Sequence, residues 1–98
     1  MRLVILQVPG CPGADLLAGR LAPLLADRPD IELTRQIVTS EADASRLGMT
    51  GSPTLLADGT DPFPGPGQPS VSCRLYPDEQ GRAGPAPSPA LLRAALHW

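Results

Sequence analysis

The chain has no lysine or asparagine, and aromatic side chains are scarce. Its 98 residues include one phenylalanine, one tyrosine and one tryptophan, and the eight basic residues, all arginine, are outnumbered by ten acidic ones. A net charge of -2 offers no basic surface to displace counterions from a phosphate backbone, so we expect no nucleic-acid partner. Every apolar run is shorter than the roughly 18 residues of a membrane span, so we expect no membrane partner.

Cysteine is scarce too, since the sequence contains Cys11 and Cys73 alone. The apolar stretch at residues 1–8 is short and is followed at once by Pro9 and Gly10, which favours a buried strand over a signal peptide. We therefore expect a cytoplasmic protein, where free or redox-active thiols are commoner than structural disulfides. The sequence has no spacing typical of a zinc site, a phosphate-binding loop or a serine triad, and we expect neither a metal nor a cofactor.

What the sequence does contain is seven short segments with the periodicity of strands or helices, enough for a single domain over residues 1–98. In chain order they are strand 2–8, helix 12–27, strand 31–37, helix 41–47, strand 53–57, strand 71–76 and a closing helix after Ser88. The order βαβαββα predicts an α/β fold that has a four-stranded mixed sheet with helices on both faces.

Local signals add detail to this outline. Pro23 is expected to kink or break the last turn of the first helix. Ser40 is a predicted N-cap of the second helix, and Gly48 is its predicted stop. A Pro/Gly-rich loop at residues 59–70 interrupts the hairpin between the last two strands.

Two motifs and the element order together resemble the thioredoxin-like superfamily, in its minimal fold. Residues 8–12, Val-Pro-Gly-Cys-Pro, resemble the strand-to-helix turn that carries the reactive cysteine of thioredoxins and glutaredoxins. Residues 48–54, Gly-Met-Thr-Gly-Ser-Pro-Thr, resemble the segment around that family's cis-proline. More narrowly, the chain is similar to small actinobacterial thioredoxin-like proteins that are often labelled alkylmercury lyase, a label shared with larger enzymes of another fold.

The resemblance implies a cis peptide bond between Ser52 and Pro53, with Pro53 beside Cys11. It also implies that Pro12, Ser52 and Pro53 border the substrate and that the Ser52 backbone pairs with an extended thiol substrate. The family's second active-site cysteine would fall at Ala14, so the chain lacks the Cys-x-x-Cys pair.

Cys11 is the first candidate for a catalytic residue, because a thiol at a helix N-terminus meets unpaired N–H groups that favour the reactive thiolate. Cys73 is either a small core side chain or a resolving thiol for Cys11. Simple hairpin pairing predicts that Cys73 lies opposite Leu55, away from Cys11. Asp15 is a possible proton acceptor or a charge that complements the helix start, and His97 is expected to complement a helix end.

Three functions remain open from the sequence. The first is a redox protein, an oxidoreductase or thiol-transfer protein, in which Cys11 attacks a disulfide, with a small thiol or a disulfide-bearing protein as partner. The second is binding of a soft metal or an organomercurial through Cys11, either alone or together with Cys73. The third is a non-catalytic interaction module on a thioredoxin fold.

Overall fold

The computed structural model describes residues 1–63 and 67–98, which form a mixed α/β structure. The described residues contain three helices, α1 (Pro12–Leu25), α2 (Glu41–Leu47) and α3 (Pro89–Leu96). They also contain seven strands: β1 (Arg2–Gln7), β2 (Glu32–Ile37), β3 (Thr50–Ser52), β4 (Thr54–Ala57), β5 (Ser70–Cys73), β6 (Tyr76–Pro77) and β7 (Ala83–Gly84). Residues 64–66, in the middle of the predicted Pro/Gly-rich loop, lie outside the described part.

Strand β1 is the centre of the main sheet, whose order is β2-β1-β4. It runs parallel to β2 and antiparallel to β4. Successive side chains of a strand point to opposite faces, and β1 is apolar on both. Leu3 and Ile5 pack in one cluster with side chains of α1 and α3, while Leu6 packs in another with Ala44 of α2. The predicted helices on both faces are thus confirmed.

Helix α1 continues to Leu25, so Pro23 does not break it. Proline removes the hydrogen bond to the carbonyl four residues earlier, which here belongs to Gly19. Both Pro23 and Gly19 are exposed, and water can therefore reach the carbonyl that loses its partner.

The ends of the other two helices follow from local chemistry. The Ser40 hydroxyl accepts a hydrogen bond from the Asp43 N–H at 3.1 Å, and Gly48 ends α2 with φ +89°. Both features confirm the predicted caps. Ser88 caps α3 in the same way, accepting from the Leu91 N–H at 3.2 Å.

The predicted four-stranded sheet is not formed by the described residues, whose strands make sheets of three, two and two. Strand β5 runs parallel to β3 and does not form a hairpin with β4. The chain turns tightly after β4, where Ala57 and Thr60 exchange backbone hydrogen bonds of 2.8 and 3.0 Å. It comes back to the sheet at Ser70, whose N–H donates to the Met49 carbonyl at 3.1 Å. The first residue of β5 therefore lies beside the first residue of β3, and the last residues of the two strands also pair, so the strands are parallel.

The segment after β5 is more ordered than the sequence predicts. The proline and glycine residues between positions 77 and 87 predict a loose stretch, yet β6 and β7 form a small antiparallel hairpin there, pairing Tyr76 with Gly84. Within the described residues, no helix combines the length and the apolar character needed to cross a membrane.

Candidate thiol site

Cys11 lies at the start of α1, as predicted. Its backbone is extended, and its carbonyl accepts hydrogen bonds from the N–H groups of Ala14 and Asp15 at 3.2 and 3.4 Å. The first N–H groups of a helix have no partner within the helix, which gives this end a partial positive charge. The residue is only 7% exposed and belongs to the cluster formed by β1, α1 and α3. A reagent therefore has a narrow approach to the thiol.

Pro53 packs against the first turn of α1. The Ser52–Pro53 peptide bond is cis, as the resemblance predicts. A Cβ atom added to Gly13 would lie 3.1 Å from Pro53 Cδ and 2.5 Å from the carbonyl oxygen of Pro85. The helix therefore approaches Pro53 this closely because residue 13 has no side chain, and this contact lies two residues from Cys11.

Ser52 links the strand ends around the site through two hydrogen bonds. Its hydroxyl accepts from the Val8 N–H at 3.0 Å, just after β1 ends. Its carbonyl accepts from the Arg74 N–H at 2.9 Å. The resemblance implies that the Ser52 backbone pairs with an extended substrate. In the structure, the Ser52 carbonyl is bonded instead to the chain's own segment after β5.

Cys73 is not where the sequence predicts it. It pairs with Ser52 in the β3–β5 ladder and not with Leu55, and it is exposed, so it is not a core residue. Both errors have the same cause, because the hairpin assumed for the last two strands is replaced by the parallel β3–β5 pair. The structure therefore moves Cys73 from the middle of the main sheet to the Ser52–Pro53 corner.

Tyr76 borders the site and was missed by sequence reasoning. It is 3% exposed, and its hydroxyl donates to the Pro53 carbonyl at 2.5 Å. Burial raises the pKa of the Tyr76 phenol well above its ordinary value, the Arg74 guanidinium opposes that shift, and Asp61 and the Cys11 thiol add to it. The phenol is therefore protonated at neutral pH and serves as a hydrogen-bond donor.

Arg74 is the second residue that the sequence did not reveal as part of the site. Its buried guanidinium donates to the Asp61 carboxylate at 2.6 Å, to the Phe63 carbonyl at 2.8 Å and to the Thr50 hydroxyl at 3.2 Å. It also lies 4.6 Å from the centre of the Tyr76 ring, within the range of a cation–π contact. These contacts tie the segment after β5 to the loop after β4.

Two close approaches complete this cluster. The Phe63 ring meets the Tyr76 ring edge-on, with centroids 5.6 Å apart. A Cβ on Gly51 would lie 2.7 Å from Arg74 Cβ, and Gly51 has φ +123°. Glycine at position 51 thus allows the backbone of β3 to lie directly against Arg74.

The remaining candidates are less central. Pro12 is exposed at the first position of α1, next to Cys11. The Asp15 carboxylate accepts from Arg35 at 2.6 Å in an exposed pair. His97 is exposed and caps the C-terminal end of α3 with φ +59°.

The described part of the chain holds no group of three or more histidine, cysteine or acidic residues placed to bind one metal ion. Comparisons with protein-family models, curated proteins and solved structures found no match to this chain.

Proposed function

We propose that this chain is a thioredoxin-like protein whose Cys11 thiol performs thiol–disulfide exchange or thiol transfer with a small thiol or a disulfide-bearing protein. The observation that carries the proposal is the position of Cys11 at the start of α1, where Pro53 packs against the same helical turn. The partial positive charge of such a helix end favours a thiolate, the form that attacks disulfides.

The arrangement of the main sheet supports the same proposal. Strand β1 lies between parallel β2 and antiparallel β4, with α1 and α3 on one face and α2 on the other. A mixed sheet with helices on both faces is what the resemblance implies, and this arrangement supports the proposal. The structure differs from the predicted four-stranded sheet at β5, which pairs with β3 and does not extend the main sheet beyond β4.

The proposed reaction is a simple exchange. The Cys11 thiolate attacks one sulfur of a disulfide, forms a mixed disulfide with that half and releases the other half as a thiolate, which takes up a proton from water. A second thiolate then attacks the Cys11 sulfur and releases the protein. The position of Ala14 on α1 leaves no cysteine in the helical turn to do this, so the second thiol comes from elsewhere.

The test is the reduction of bis(2-hydroxyethyl) disulfide with reduced glutathione as the final reductant. We expect catalysis by the native protein and by the exposed-site control Ser45→Ala, and a fall to the uncatalysed rate in Cys11→Ser. Circular dichroism checks that both variants are folded.

A Cys11→Ser protein that is folded and equally active contradicts the proposal. A native protein without activity does so as well, and two further measurements then separate the alternatives. Thermal stabilisation by mercuric ion that requires both cysteines would favour soft-metal binding, and indifference to mercuric ion would favour an interaction module.

A further inference from the structure

The register of β5 brings the second thiol to the corner where the first one lies. Cys73 is the ladder partner of Ser52, and neighbouring strands are about 4.8 Å apart. Residues paired across a ladder project to the same face of their sheet. The Ser52 hydroxyl bonds to the Val8 N–H, three residues before Cys11, so Cys73 is the ladder partner of the residue that contacts this turn.

The residues after Cys73 follow the same corner. Tyr76 donates to the Pro53 carbonyl, and Pro53 packs against Gly13, two residues from Cys11. Three residues of chain span at most about 10 Å, which limits the distance between the Cα atoms of Cys73 and Tyr76. The segment from Cys73 to Tyr76 thus passes from the partner of Ser52 to the Pro53 carbonyl, and Pro53 packs against the first turn of α1.

Strand β5 has room to adjust at its end. Its pairing with β3 is irregular, because three residue steps from Ser70 to Cys73 face two steps from Thr50 to Ser52. Cys73 is the last residue of the strand and is exposed, so its side chain can turn without disturbing the buried clusters. The next residue, Arg74, is bonded to Ser52 and Asp61 and keeps the segment after β5 next to the Ser52–Pro53 corner.

We propose that Cys73 is the resolving thiol of the site and forms an intramolecular disulfide with Cys11; the proposal rests on the proposed function of Cys11. A small disulfide, such as oxidised glutathione, is the oxidant. Cys11 forms a mixed disulfide with one glutathione and releases the other. The Cys73 thiolate then attacks the Cys11 sulfur, the Cys11–Cys73 bond forms, and the second glutathione leaves. Two protein thiols are oxidised, and one glutathione disulfide is reduced to two thiols.

An internal thiol suits this site because approach to Cys11 is restricted. Cys11 is 7% exposed, and the glutathione already attached to it occupies the narrow opening that a second free thiol would need. Cys73 belongs to the same chain and acts at an effective concentration that is set by the fold, and no diffusional encounter is needed.

The experiment treats reduced native protein, Cys73→Ser and Cys11→Ser with oxidised glutathione, followed by acid quenching and intact mass. We expect native protein to lose two hydrogens without accumulating an adduct. We expect Cys73→Ser to accumulate one glutathione on Cys11, and Cys11→Ser to react more slowly. Tryptic peptides 3–20 and 47–74, which hold the two cysteines, should appear joined only in the oxidised native sample.

Each other outcome contradicts a specific step. Native protein that accumulates glutathione on Cys11 while Cys73 stays reduced overturns the resolving role and leaves the proposed function intact. Glutathione could also attach to Cys73 in the Cys11→Ser variant faster than it attaches to Cys11 in the Cys73→Ser variant. Cys73 would then be the attacking thiol, and its assignment as the resolving thiol would be wrong. Failure of Cys11 to react in any folded sample, with reaction after unfolding in urea, contradicts the proposed function itself.

Discussion

Replacing Arg74 with methionine should lower the free energy of unfolding by about 3–5 kcal/mol, the usual cost of removing one partner of a buried ion pair. The side chain of Arg74 is 5% exposed and that of Asp61 is 21% exposed, so the carboxylate would lose its cation and keep only the Phe63 N–H and limited contact with solvent. The substitution also removes the donor to the Phe63 carbonyl. Urea unfolding followed by circular dichroism measures the change.

Two further variants separate the ion pair from general loss of packing. Adding Asp61→Asn to Arg74→Met should recover part of the stability, because the unpaired charge is gone and the amide oxygen can still accept from the Phe63 N–H, as Asp61 does at 2.8 Å. Arg46→Ala, which breaks an exposed pair with Asp43, should change stability by less than about 1 kcal/mol. An Arg74→Met effect as small as that of Arg46→Ala would contradict the account of the cluster.

Gly13→Ala should destabilise the protein by about 1–3 kcal/mol, the range for overpacking a tightly packed site. The added Cβ would lie 2.5 Å from the Pro85 carbonyl oxygen, a backbone atom that cannot rotate away. The start of α1 would have to move from Pro53, and we expect exchange at Cys11 to slow as well.

Gly19→Ala is the matched control, since it lies in the same helix and a Cβ there meets nothing within 4 Å. It should stabilise the protein by about 0.5–1 kcal/mol, because alanine loses less backbone entropy than glycine in a helix. The same urea measurement gives both values. Equal stabilisation by the two substitutions would show that α1 does not approach Pro53 as described.

The parts of the fold that could be predicted from the sequence depend on local chemistry. The apolar run of β1 and the Ser40 and Gly48 caps of α2 each follow from a few adjacent residues, and the structure confirms them. The cis bond at Pro53, which the resemblance implies, is confirmed as well. The pairing of β5 with β3 depends on distant residues. It requires contact between Arg74 and the loop at Asp61 and a glycine at position 51, which no local pattern indicates.

The residues of the candidate site likewise divide into those that adjacent residues indicate and those that depend on distant contacts. Cys11 could be predicted because a cysteine between a strand and a helix is a local signal. Tyr76 could not, because its place in the site depends on a hydrogen bond to a carbonyl 23 positions earlier in the chain. Cys73 was placed wrongly, because no local pattern shows which strand lies beside it.

The most direct test of the central claim, that Cys11 is the reactive thiol, is the order in which the two cysteines of the folded, reduced protein react with iodoacetamide at neutral pH. Exposure alone favours Cys73, because Cys11 is 7% exposed. The account predicts that peptide 3–20 is alkylated before peptide 47–74, since it assigns the nucleophile to the cysteine at a helix N-terminus, a position typical of reactive cysteines. Alkylation of Cys73 first, with Cys11 modified only after unfolding, would contradict it.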